Sequence, residues 1–207
     1  EVVTLTLDLG QQNDNLEAVR KKALKLGAVK AYVVDAKEEF ANDYLTPLIL
    51  ANGSYQGDYH ISTVSRYLMA KWAVVIAYRE KADAVAHGCT GKGNDQVRFE
   101  MAYYSLKPNV KIFAPWKDES FLNEFLGRKE MIEFAEKNNI PIKATKDQPW
   151  SSDENFMHIS FEAGMLEDPW VKPLPEMFEL SVSPKNAPDV AVELEIEFEK
   201  GIPVGIN

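Results

Sequence analysis

A single cysteine, Cys89, leaves no partner for an intrachain disulfide and too few thiols for a multi-cysteine zinc site, a usage that suits a reducing cytosol. Positive charge is also in deficit: 23 Lys and Arg face 32 Asp and Glu, giving a net charge of -9. A chain of that sign repels a phosphate backbone unless its basic residues are segregated, and no basic stripe is present, which argues against nucleic acid as a partner. No apolar run approaches the roughly 18 residues that span a bilayer. Nor does a charged segment followed by an apolar one open the chain as a leader would. The expectation is a cytoplasmic protein with no membrane partner. An initiator methionine is lacking too: Glu1-Val2-Val3-Thr4-Leu5 reads as strand interior from the start, as if the chain were entered midway.

What remains is ordinary globular composition, 45% hydrophobic and 27% charged over 207 residues, a length that suits one domain and part of a second. Aliphatic and β-branched residues 2 to 7 predict a strand, ended by Asp8-Leu9-Gly10. Leu16, Val19, Ala23 and Leu26 then recur at helical spacing up to Gly27. A strand at Ala31 to Val34 follows, then a helical stretch through Phe40, Leu45 and Ile49 that Pro47 interrupts. Ser62 or Thr63 is placed to cap a long helix through Leu68, Val75 and Ile76, after which Ala82 to Ala86 reads as a short buried strand. A helix from Asn94 to Leu106, a stop at Pro108 and a strand at Val110 to Ala114 complete the alternation. Such a pattern predicts an α/β fold with a mostly parallel, doubly wound sheet. From about Ile140 the sequence becomes Pro-rich, so a boundary is expected there, with one domain over residues 1–139 and an incomplete second over 140–207. Val192, Leu194, Ile196 and Phe198 alternate with glutamates as a half-buried strand does, and Lys200-Gly201 suggests a hairpin return over Ile202 to Ile206. That second module is read as at least partly antiparallel.

The chemistry concentrates in one loop. In an alternating α/β sheet ligands bind beyond the carboxyl ends of strands, where Ala86-His87-Gly88-Cys89-Thr90-Gly91-Lys92-Gly93 lies. Three glycines in six residues let backbone N–H groups approach a ligand, and the following helix offers its positive end to an anion. A flexible connector is the plainer reading. The loop is no Walker A motif, because Lys92 precedes Gly93 and not the Ser or Thr that would hold Mg²⁺. Asn94 and Arg98, four apart, share one helical face, with Asp95 beside Asn94. Arg can clamp a carboxylate, Asn can donate and accept, and Asp can hold an ammonium, so the trio suits an amino acid gripped at both ends. A solvated face whose Asp95 complements the helix dipole explains the same pattern.

The run His87-Gly88-Cys89-Thr90-Gly91-Lys92-Gly93-Asn94-Asp95-Gln96-Val97-Arg98-Phe99-Glu100 resembles the central signature of the argininosuccinate synthases. Similar segments extend the resemblance over essentially the whole chain: Asp8-Leu9-Gly10-Gln11, Lys22 to Ala28, Ala114-Pro115-Trp116, and Pro149-Trp150-Ser151-Ser152-Asp153-Glu154-Asn155-Phe156-Met157-His158-Ile159-Ser160. The resemblance implies a nucleotide-binding domain of the PP-loop ATP pyrophosphatase type, then a synthetase domain, in a homo-oligomer that is a tetramer across the family. It implies ATP as substrate, with Mg²⁺ as its counter-ion held outside this chain, and citrulline and aspartate as the molecules joined. By position, Gly88 falls in the ATP-contacting loop. Thr90, Asn94 and Asp95 match aspartate-binding residues. Tyr59, Thr63, Asn94, Arg98, Ser151 and Ser160 match citrulline-binding ones. Asp95 and Arg98 are the expected substrate-positioning residues of catalysis. His87, His158 and Cys89 receive no role.

The match departs from the family at both ends and in two places between. The family's pyrophosphate loop, on a strand and helix that precede the first strand here, has no counterpart, and later citrulline contacts fall beyond Asn207. The expectation is that these residues alone form no argininosuccinate. A truncated, non-catalytic metabolite-binding or assembly module is the alternative. Leu7 stands where a small Ala is usual, Tyr59 to Arg66 is one residue shorter than the usual stretch, and Tyr67 replaces a Pro.

Overall fold

The structure, a computed structural model, describes all residues except 13, 14, 58, 61, 92 and 143–149, and leaves the side chains of Tyr59, His60, Ser62 and Arg128 undescribed. In the first half the strands of the two parallel pairs are separated by helices, with a short hairpin inserted before α4: β1 (Val3–Asp8), α1 (Leu16–Lys25), β2 (Lys30–Asp35), α2 (Lys37–Glu39), α3 (Thr46–Leu50), β3 (Ser54–Tyr55), β4 (Tyr59–His60), α4 (Ser65–Glu80), β5 (Ala84–Ala86), α5 (Asn94–Leu106) and β6 (Lys111–Phe113). Two helices follow, α6 (Glu119–Glu124) and α7 (Arg128–Lys137), then two hairpins, β7 (Ser151–Asn155) with β8 (His158–Glu162) and β9 (Ile196–Glu199) with β10 (Ile202–Ile206).

The expected parallel pairing is present. β1 runs beside β2 from Val3↔Lys30 to Asp8↔Asp35, and β5 beside β6 from Ala84↔Lys111 to Ala86↔Phe113. Helix α1 makes the first crossover. Its N-terminus is fixed by Asn15, whose side chain accepts from the Ala18 N–H, and Gly27 closes it with φ of 103°. Both pairs rest on α4, which buries two sets of side chains. Leu68 joins Leu7, Leu9, Phe40 and Leu45 in one core, while Ala70, Val74 and Ala77 join Val85, Tyr103 and Val110 in another. Burial of Tyr103 pushes its phenol up to about 12, so it stays neutral as a core residue must.

The two parallel pairs are not hydrogen-bonded to one another among the described residues. Between them lies a cleft of about 1450 Å³, walled by every residue of β1 from Val3 to Leu7 and by Ala82 to Cys89, with Met69, Ala73, Ile76 and Ala77 of α4 along it. Successive residues line it, so each wall is a strand edge and not a strand face. The hydrogen bonds agree: the Val2 and Asp8 carbonyls accept from Val29 and Ala36, leaving Val3, Leu5 and Leu7 turned to the cleft by alternation. His87 N–H likewise donates to Phe113, which turns Ala84 and Ala86 inward. Glu80, at the end of α4, binds Lys30 Nζ and the Tyr32 hydroxyl at 2.5 Å each, while Leu7 meets Leu68 near the start of α4. β1, β2 and β5 therefore point the same way, and their carboxyl ends share one rim.

Hairpin β7–β8 docks at that rim. The Phe156 N–H donates to the Leu9 carbonyl at 3.0 Å, Glu154 Oε1 accepts from the Gln12 N–H at 2.9 Å, and Met157 packs on the core around Leu7. Gly10 is required twice over: its φ is 87°, and a Cβ there would lie 2.2 Å from the Phe156 ring.

Several local expectations need correction. A 3₁₀ turn over Ser62–Val64 leads into α4, and the residue at its N-cap is Val64, so neither Ser62 nor Thr63 holds that position. Pro47 does not end the helical stretch, which continues through Thr46–Leu50; the irregularity is the π turn Phe40–Leu45 just before it. Ile196, Phe198, Ile202, Val204 and Ile206 are all exposed, so the predicted half-buried strand has no covered face among the described residues. Alternation marked the strand, and nothing local in it supplies a surface to bury against.

Candidate functional site

The loop from His87 to Gly93 leaves β5 at the shared rim and enters α5 at Asn94, as read from the sequence. Buried His87 fixes its start. His87 Nδ1 accepts from the Cys89 N–H at 3.3 Å, so Nε2 carries the proton and donates to Glu100 Oε1 at 3.3 Å. Glu100 also takes both oxygens to Lys117 Nζ at 3.1 Å. Burial pushes the Glu100 carboxyl up, but its hydrogen bonds with Gln96, Lys117 and His87 outweigh that and hold it below the usual range. The glycines serve different ends. Among the described residues nothing lies within 4 Å of a Cβ position on Gly88, whereas a Cβ on Gly91 would meet the Trp116 carbonyl oxygen at 2.6 Å. Gly91 permits close loop packing, while Gly88 is the one free to meet a ligand. Cys89 has its thiol pushed up by burial, which keeps it protonated and a poor nucleophile.

One turn into α5 lies a network of four charged side chains. Arg98 Nη1 donates to Asp95 Oδ1 at 2.7 Å, and Arg66 Nε, from the first turn of α4, donates to Asp95 Oδ2 at 2.7 Å. Arg66 also donates through Nη2 to Asp153 Oδ2 in β7, and Arg98 Nη2 donates to the Tyr55 hydroxyl at 3.0 Å. Burial raises Asp95, but the two guanidiniums overcome it and hold the carboxyl below its ordinary value. Arg66 and Arg98 have side chains only 14% and 17% exposed, so these pairs are little screened.

The structure thus joins Asp95 and Arg98 directly. Ser160 lies opposite Asp153 across β7–β8, on the face that carries Asp153 to the network, and Tyr59 pairs in register with Tyr55 across β3–β4; the Tyr59 side chain is outside the described residues. Gly88 lines the cleft together with Arg66, Cys89 and Asp95. Thr90, Thr63, Asn94, Ser151 and Ser160 do not line it. Thr90 and Asn94 are exposed, and Ser151 and Thr63 half-buried. No role for Arg66, Asp153 or Tyr55 is legible in the sequence. Arg66 is 29 residues from Asp95 and 87 from Asp153, and no helical or strand periodicity links positions so far apart. The Asp95 arrangement also differs from the free carboxylate expected for an ammonium: both its oxygens already accept from arginines, and an incoming ammonium must share them.

Residues 1–141 match the family model described as "Arginosuccinate synthase N-terminal HUP domain", and residues 150–207 the model described as "Arginosuccinate synthase C-terminal domain". The chain is 50% identical over 208 residues to the argininosuccinate synthase of Syntrophobacter fumaroxidans, covering 100% of this chain and 51% of that protein. It is 50% identical over 208 residues to that of Schizosaccharomyces pombe and 50% over 207 residues to that of Thermotoga petrophila, in each case covering 100% of this chain and 50% of the relative. The chain spans about half the length of the curated relatives it matches. Two domain models in order along one polypeptide, and half its residues identical in distant organisms, agree with the loop and helix face at the rim: the chain belongs to the argininosuccinate synthase family.

Proposed function

We propose that these residues form part of the active site of an ATP-dependent carbon–nitrogen ligase that joins L-citrulline to L-aspartate, giving argininosuccinate, AMP and pyrophosphate. The observation that carries this reading is the Asp95–Arg98 pair in the first turns of α5, beside the open backbone of Gly88 at the strand rim. Citrulline's ureido carbon is a poor electrophile because its nitrogens donate into the carbonyl. Transfer of AMP from ATP to the ureido oxygen makes a leaving group, pyrophosphate departs, and the aspartate amine then displaces AMP. This chain's part is orientation and charge complementarity. Gly88 meets the nucleotide with its backbone, and Mg²⁺ enters as the nucleotide's counter-ion. Arg98 takes the citrulline carboxylate. Asp95 shares its oxygens with the aspartate ammonium, while Thr90 and Asn94 hold that substrate's polar ends and Tyr59, Thr63, Ser151 and Ser160 those of citrulline. The pathway is arginine biosynthesis, in the cytoplasm, by a homotetramer.

Residues 1–139 are read as the nucleotide-binding unit and 140–207 as the start of the synthetase unit. Within the first unit, the two strand edges of the cleft between β1 and β5 point the same way and leave room for a further parallel strand. A strand seated there would deliver its carboxyl end to the rim beside Gly88. The isolated 207-residue chain is expected to make no argininosuccinate; measurable turnover by it would overturn the reading of a partial site.

The assignment is tested by calorimetry on a polypeptide of the relatives' full length carrying these residues. Arg98→Ala is expected to weaken citrulline, and Asp95→Ala to weaken aspartate, each by about 1.5 to 3 kcal/mol as befits a charged hydrogen bond. Unchanged affinities would remove both residues from the site.

A further inference from the structure

The docked hairpin and the binding helix meet through one side chain. Hairpin β7–β8 is anchored by Phe156 and Glu154 on the loop after β1, with Met157 in the core, so Asp153 stands at a place set by packing elsewhere. Arg66 lies between Asp153 and Asp95 with its guanidinium divided, Nε on Asp95 and Nη2 on Asp153. Its Nη1 reaches the Ser65 hydroxyl at 3.4 Å and Asp153 Oδ1 at 3.5 Å. A planar fork with donors on two edges can hold two carboxylates at a fixed mutual angle, which the point charge of a lysine cannot. Asp95 is faced by Arg66 from α4, Arg98 from α5 and the Cys89 thiol from the loop, with Asp153 of β7 beyond Arg66.

We infer that Arg66 is a positioning residue that relays the placement of hairpin β7–β8 to Asp95, so that the aspartate-binding carboxylate is set only while Asp153 holds the other edge of the guanidinium. This rests on reading Asp95 as a substrate group. It assigns the start of the second unit a task in the site of the first that needs no direct contact with substrate.

The relay makes a prediction opposite in sign to simple charge. Removing the Asp153 charge, acting only through space, lowers the Asp95 titration midpoint, because a neighbouring anion is gone. Acting through Arg66, it frees the guanidinium from its anchor, and the Asp95 midpoint rises. The test is the ¹³C-detected carboxyl titration of Asp95 in the 207-residue chain, in wild type, Asp153→Asn, Arg66→Gln, and Asp153→Asn combined with Arg66→Gln. Amide exchange in β1–β2, away from the network, checks that each variant is folded; Asp153→Asn is near-isosteric and keeps the Phe156 and Glu154 anchors. Arg66→Gln is expected to raise the midpoint by about one pH unit. Asp153→Asn alone should raise it in the same direction, and should not raise it in the Arg66→Gln background. A fall in Asp153→Asn, or an equal rise with and without Arg66, overturns the relay. The titration needs no ligand, so it stands apart from the functional reading. In the full-length polypeptide, Asp153→Asn should weaken L-aspartate about tenfold. A titration that shows the relay with L-aspartate unaffected by Asp95→Ala would remove the substrate reading alone.

Discussion

Hairpins β7–β8 and β9–β10 are the same local object, two short antiparallel strands, and they meet opposite fates. The first is docked: its turn residue Phe156 fills the space over Gly10, Met157 enters the core around Leu7, and Asp153 reaches Arg66. The second shows water both faces, with Phe198 60% and Ile206 69% exposed. Both are antiparallel pairs, regular in β7–β8 and with a register shift between Pro203 and Gly205 in β9–β10, so antiparallel pairing by itself does not make a hairpin part of a site. What distinguishes them is a receiving surface, here Gly10 with its positive φ and the Leu9 carbonyl just after β1, which accepts from the Phe156 N–H.

Filling that receiving surface should have the largest effect. Gly10→Val both forces a β-branched residue into a left-handed conformation and drives a side chain into the Phe156 ring. A loss of about 3 kcal/mol is expected from strain and overpacking together. Urea unfolding of the 207-residue chain measures it, and loss of amide protection in β7–β8 with β9–β10 unchanged would tie the cost to docking. A Gly10→Val chain as stable as wild type would mean that the hairpin is not seated as described.

Acid should separate the hairpins next. The Asp95 carboxyl is depressed in the folded chain by Arg66 and Arg98, so its stabilising share is fully present above the unfolded carboxylate pKa of about 4 and disappears as pH falls through its lower native value. Unfolding free energy followed from neutral pH downward should fall across that window, and Asp95→Asn should flatten the decline. An unaltered acid limb in Asp95→Asn would show that the network contributes no pH-linked stability.

The smallest effect is expected at the bare hairpin. Phe198→Ser removes an exposed ring, and the stability of the isolated chain should change by no more than about 0.5 kcal/mol. If the proposed homotetramer covers this face, sedimentation of the full-length polypeptide should show weaker self-association with the same change. A large loss of stability in the isolated chain would mean that Phe198 is already packed.

Much of the fold was legible because it rests on local rules. α5 begins at Asn94 and ends at Leu106 as its pattern predicted, with Asp95 in its first turn, and β1 and β2 lie within a residue or two of their aliphatic runs. The membership of Gly88, Asp95 and Arg98 in one region was also readable, since a strand end, a glycine loop and a helix start adjoin in sequence. The docked turn at Phe156 was not readable, because it depends on Leu9 and Gly10, neighbours that no periodicity names.

By itself the sequence determined the alternating elements, the helix face carrying Asp95 and Arg98, and the run from His87 to Glu100 that marks the family. Only the tertiary structure decided that Asp95 is held by Arg66, that Arg66 is shared with Asp153, and that one hairpin is seated and the other bare. The reason is physical: backbone propensity and side-chain period act over a few residues, whereas a guanidinium joining positions 66, 95 and 153 exists only once packing has brought three separate elements within hydrogen-bond reach.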